Sequence, residues 1–179
     1  MSSTSLATQL ADQLDFHWTQ QLRPRLAGLT DDEYFWQPVP GWTVHRDGGI
    51  DFDYPPPQPE PLTTIAWRMA HVIVGVFAVR SHSHFGGPPA DYSSWQYATD
   101  AATALRQWDD EYARWMSGVR GLDDAALAMP CGPAEGPYAD EPMTTLVLHI
   151  NREVIHHGAE ISLLRDLYTH THTHTHKEK

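Results

Sequence analysis

Apolar residues fall near every fourth position along several stretches of this chain, the signature of helices that bury one face. Leu6, Leu10, Leu14, Trp18 and Leu22 mark the first stretch, which predicts a helix over residues 5–29, capped by Thr4 or Ser5 and ended or kinked by Pro24. Ile65, Met69, Val72, Val76 and Val79 mark a second over residues 62–85, with Pro61 at its start and Gly86, Gly87, Pro88 and Pro89 as its stop. Ala102, Leu105, Trp108, Tyr112 and Trp115 mark a third over residues 99–119, with Thr99 or Asp100 as cap. A fourth runs from Thr144 to about Tyr168. After the first helix, LTDDEYFWQPVPGW carries a Thr30 cap and an acidic first turn, which predicts one short helix closing by Pro38. No strand pattern competes, so the expected architecture is an all-α four-helix bundle with long inter-helix connections.

The connections carry their own signals. Residues 38–61 hold too many prolines and glycines for a helix. A loop this long in a compact domain is usually functional, and Trp42, His45, Phe52 and Tyr54 give it the aromatic mass of a lid or pocket wall. Asp109, Asp110 and Glu111 are consecutive and mark a solvated side of the third helix. The turn-rich MPCGPAEGPYADEPM leads to the fourth helix. The domain is expected over residues 1–168, with the Thr/His-rich residues 169–179 as a disordered tail.

Charge and composition narrow the function. Twelve Lys and Arg against 23 Asp and Glu leave a formal net charge of -11, which repels a phosphate backbone and excludes nucleic acid as a partner. A single cysteine, Cys131, rules out an internal disulfide or a cysteine-rich zinc site. It sits among turn residues without a neighbouring base, a poor setting for a nucleophile. The start of the chain lacks the pattern of a secretory signal, and no stretch approaches about 18 uninterrupted apolar residues. The expectation is a cytoplasmic protein with no membrane partner and a small-molecule substrate. Seven Trp and seven Tyr also make an aromatic homodimer interface feasible.

The chemistry concentrates in HINREVIHHGAEISLLR, residues 149–165. Positions four apart share a helix face, so Glu153 and His157 point together, with His149 one turn earlier. A carboxylate and imidazoles on one inward face call for a cation, because buried charges are costly unless paired or coordinated. His71, set among Ala70, Val72, Ile73 and Val74, is expected to be buried on the second helix and to supply a further ligand. Two imidazoles and one carboxylate suit Zn, Ni, Fe or Mn and leave positions open for water or substrate. His149 can replace or join Glu153. His156 points about 100° away from His157, and Glu160 is placed to orient an imidazole. Arg80, nine residues past His71, can meet a substrate carboxylate or an anionic thiol, although a plain surface role also fits.

IAWRMAH, ending at His71, and NREVIHHGAEI, residues 151–161, together resemble the DinB/YfiT-like superfamily. The likeness is greatest to the branch of the mycothiol-dependent maleylpyruvate isomerases, to which LTDDEYFWQPVPGW is also similar. The resemblance covers nearly the whole chain except the tail. It implies a four-helix bundle holding a divalent metal through one residue of the second helix and two of the fourth. Many members have His at both fourth-helix positions, followed by Gly-Gln. Here the first is Glu153, as in the isomerase branch, and GAE follows His157. Carried over residue by residue, the resemblance implies His71, Glu153 and His157 as metal ligands. It also implies a low-molecular-weight thiol, mycothiol in that branch, as co-substrate. Arg80, which matches no motif of the family, and Trp42 are the residues of this chain placed to contact it.

Overall fold

The computed structural model describes residues 4–174. Its frame is four long helical rods with no named strand among the described residues. Helix α1 opens over Leu6–Phe16, widens into π-helical His17–Leu22 and closes with Arg23–Arg25. Its cap is Ser5, whose hydroxyl accepts from the Thr8 N–H. Short helix α2, Asp31–Tyr34, carries a full capping box between Thr30 and Glu33. Rod α3 comprises Ile65–Ala70, π-helical His71–Ala78 and Val79–Phe85, ending on left-handed Gly86. Helix α4 spans Ala101–Arg120 with Asp100 as cap, α5 spans Asp124–Ala128, and α6 spans Met143–His174.

The rods α1 and α3 pack mainly against the same two partners, α4 and α6, so chain neighbours α1 and α3 are not the principal pair. The long connection between them permits this arrangement. Leu10, Leu14, Trp18 and Leu22 of α1, Ile65, Met69, Val72 and Val76 of α3, and Trp108 and Trp115 of α4 are buried in one core. The predicted stripes err at their ends: Leu6 and Ala102 are exposed, and Ala101 and Ala104 turn inward instead. Close approach of α6 to α1 depends on Gly158, where an added Cβ would lie 2.8 Å from Leu22 Cδ2.

Three expectations need correction. Glu111 does not face solvent with its acidic neighbours; it is buried beside Arg114, 3.2 Å away, because the helix turn carries it onto the Trp108 and Trp115 side. The turn-rich connector to α6 contains a 3-10 helical stretch over Pro133–Tyr138, and before it lies α5, capped by Asp123 accepting from the Ala126 N–H and too short to show a period. Finally, α6 continues past Tyr168 through His174. Thr169 and Thr171 each donate to a carbonyl one turn back, and the His172 ring stacks on Tyr168 at 4.0 Å. The disordered tail expected from residue 169 is therefore helical as far as 174, and its remainder lies outside the described residues. No helix among the described residues is long and apolar enough to cross a membrane.

Candidate metal centre

Two helices and the proline-rich loop converge on one corner of the bundle. The loop is pinned: Val44 is buried, Trp42 is bridged to Thr63, and the Trp67 indole N–H donates to Asp51 O at 2.8 Å. It borders a cavity of about 560 Å³ lined by Trp42 and Leu62 together with Trp67, His71, His157 and Glu160. The aromatic residue Trp42 is thus at the cavity, the role of pocket wall expected for its loop.

His71 opens the π-helical part of α3. Wide turns of this kind often mark functional sites because they shift side-chain register. Although its neighbours Val72, Ile73 and Val74 are in the core, His71 itself is only partly buried, on the cavity wall. Its ring lies parallel to Trp67 at 5.6 Å and edge-on to His157 at 4.8 Å. His71 Nδ1 is 2.9 Å from the Tyr92 hydroxyl. Burial, then the neighbouring His157, pushes the His71 imidazole down to about 4, so it is neutral near pH 7 and has a lone pair to offer. Burial also raises Tyr92 to about 12, which keeps its hydroxyl protonated.

On α6 the expected turn geometry brings Glu153 and His157 together, with His157 Nε2 3.5 Å from Glu153 Oε2. The other ring nitrogen, Nδ1, meets Glu160 Oε2 at 2.8 Å and Arg68 at 3.3 Å. One nitrogen cannot donate and accept at once, and the shorter contact pairs an imidazole N–H with a carboxylate. The proton is therefore assigned to Nδ1, and the Nε2 lone pair faces Glu153. The nearest cationic and imidazole partners of the Glu153 carboxylate are long: His149 at 3.4 Å, Arg152 at 3.5 Å and His157 at 3.5 Å. A partly buried carboxylate with no short partner, flanked by two imidazoles, is a donor set that fits a divalent cation. One ligand atom from each of His71, Glu153 and His157 lies within 4.8 Å of the others.

The sequence matches the DinB superfamily profile over residues 13–161, a span that includes all three of these residues. This chain belongs to the DinB superfamily. Searches of curated proteins and of solved structures return no match. Members of the DinB superfamily are typically metal-binding, and the all-helical frame here agrees with a DinB-like bundle.

Not every candidate reaches this DinB corner. His149 stays near Glu153 but also lines a separate cavity of about 820 Å³ with Arg80, Cys131, Glu135 and Arg152. Arg80 is directed there, donating to Gly75 O and lying 3.4 Å from Glu135, which also takes a 2.9 Å contact from His84. It lines that cavity and not the one lined by Trp42, His71 and His157. Burial and the Glu135 carboxylate raise the Cys131 thiol, in keeping with its expected inertness. His156 is exposed and 3.5 Å from Glu160. Sequence reasoning missed Tyr92, Arg68 and Trp67. Only Trp67 left a signal, as an aromatic one helical turn before His71.

Proposed function

We propose that this DinB-superfamily chain is a divalent-metal-dependent enzyme in which His71, Glu153 and His157 hold the metal. In this reading it uses a low-molecular-weight thiol, mycothiol by resemblance to the isomerase branch, to transfer to or isomerise a small electrophilic substrate. Zinc is the preferred ion, with nickel, iron and manganese compatible with the same donors. The observation that carries the proposal is the convergence of two imidazoles and one poorly partnered carboxylate within 4.8 Å, beside an aromatic-walled cavity.

When bound, the metal supplies a cationic centre that lowers the proton affinity of a thiol or water beside it. The protein's residues do the rest. Glu160 holds the Nδ1 proton of His157, and the Tyr92 hydroxyl orients His71. Trp42, Leu62 and Trp67 give an apolar wall that takes the substrate's carbon skeleton and excludes water from it.

The test supplies zinc-loaded protein with small electrophiles, with and without mycothiol or another thiol. Thiol-dependent turnover that disappears in Glu153→Gln is the expected result. Turnover without thiol assigns a hydrolase using activated water, and metal retention without any turnover assigns a binding protein.

A further inference from the structure

His157 presents its two ring nitrogens to two different clusters. Nε2 faces Glu153, whereas Nδ1 faces Glu160, and Glu160 in turn reaches His156 Nε2 at 3.5 Å. The donor atoms of His156, His157 and Glu160 also fall within 4.8 Å of one another, a second ligand set that shares His157 with the first. This second set already holds a cation. Arg68, with a side chain only 16% exposed, donates to Glu160 Oε2 and lies 3.3 Å from His157 Nδ1. A guanidinium has no lone pair and the Nδ1 proton is engaged by Glu160, so two donors, one of them a full cation, converge on one carboxylate.

We propose that Arg68 is the resident cation of a second cation position built on Glu160, and that it holds the centre to one metal ion. The inference rests on the reading of His71, Glu153 and His157 as ligands of the first. Charge accounts for the exchange. Removing the guanidinium takes away one positive charge. Breaking the His157 Nδ1–H bond sends a second to solvent as a proton. A divalent cation then forms bonds to the freed Nδ1, to Glu160 and to His156, restoring the charge removed. The imidazolate of His157 bridges the two ions. In the native chain, Arg68 and Glu160 prevent this and keep the Nδ1 proton in place, so that Nε2 alone serves the metal.

Arg68→Gln opens the position without removing any ligand. The full chain, stripped with chelator, is titrated with Cu(II) and followed by electron paramagnetic resonance. In the wild type every bound copper is expected to remain visible, including copper held by the Thr/His tail. In Arg68→Gln, a second copper couples to the first through the imidazolate, and about two spins per chain vanish from the count. His156→Ala in that background restores them, and Arg68→Lys, which keeps a cation, behaves as wild type. A full spin count in folded Arg68→Gln overturns the proposal. So does a coupled pair in the wild type, a measurement that needs no variant to fold. If copper binding to the wild type is unchanged by Glu153→Gln, the first site itself is wrong, which is a separate and recognisable failure.

Discussion

Helix α6 carries two polar clusters of opposite character. Near its C-terminal half, Arg165 meets Glu33 at 2.9 Å and donates to the Ala27 carbonyl at 3.0 Å, while Glu33 also takes the Thr30 N–H at 2.9 Å. Every group there has a short partner. Earlier on the same helix, the Glu153 carboxylate has imidazole and guanidinium neighbours only at 3.4 to 3.5 Å. On the proposed reading, the difference separates a structural ion pair from a carboxylate that holds a metal. A carboxylate committed to folding is saturated by the protein, whereas one meant for a ligand is left under-partnered and flanked by groups that are themselves held in place.

That contrast breaks most visibly at Arg165. Arg165→Ala leaves Glu33, which is 5% exposed, with only its Thr30 donors, and is expected to destabilise the fold by about 3 kcal/mol in thermal or urea unfolding while metal affinity stays unchanged. Glu153→Gln should do the reverse. Its metal affinity, read by competition with a chromophoric chelator, is expected to fall by more than about 100-fold, because a ligand should cost at least as much as the outer partners of one. Stability of the chelated protein should shift by only about 0.5 kcal/mol.

Tyr92 sharpens the comparison at smaller cost. A Cβ on Gly75 would sit 1.8 Å from the Tyr92 hydroxyl, so Gly75→Ala must displace the group that orients His71. Gly75→Ala and Tyr92→Phe are each expected to weaken metal binding about 10-fold, the lower end of the range for outer partners. If affinity is retained in both, Tyr92 has no part in placing His71.

The smallest effect is in pH. Burial pushes Glu33 upward, but hydrogen bonds from Arg165 and Thr30 outweigh it and hold the carboxyl below its ordinary 4.5. Between those values the unfolded chain binds more protons, so this contribution is fully present above about 4.5 and is lost as pH falls through the folded value. In Arg165→Ala the Arg165 hydrogen bond is lost while those from Thr30 remain, so the slope on the acid side should flatten. Urea midpoints measured from pH 3 to pH 6 read both slopes.

Much of this was legible in the chain because helix geometry is local. The four-residue step from Glu153 to His157, and the rotation that sends His156 outward, follow from 3.6 residues per turn. The four rods follow from apolar spacing. What could not be read depends on contacts distant in the chain. Tyr92 sits in an aperiodic connection and reaches His71 only because Gly75 leaves room. Arg68 reads as an ordinary helical cation until α3 is laid against α6. The π-helical turn that starts at His71 has no marker in the apolar period. The Thr/His alternation carries no apolar period and so resembles a polar tail, although α6 runs on to His174 with the Thr169 and Thr171 hydroxyls bonded to carbonyls one turn back.

The central claim is that His71, Glu153 and His157 together bind one divalent metal. Its most direct measurement is anomalous diffraction at the zinc edge, on crystals of protein purified without a metal-affinity step, loaded with zinc and washed. The account predicts a peak bonded by His71, Glu153 and His157 that is absent from Glu153→Gln. No peak between these residues, or one that persists unchanged without the Glu153 carboxylate, would contradict it.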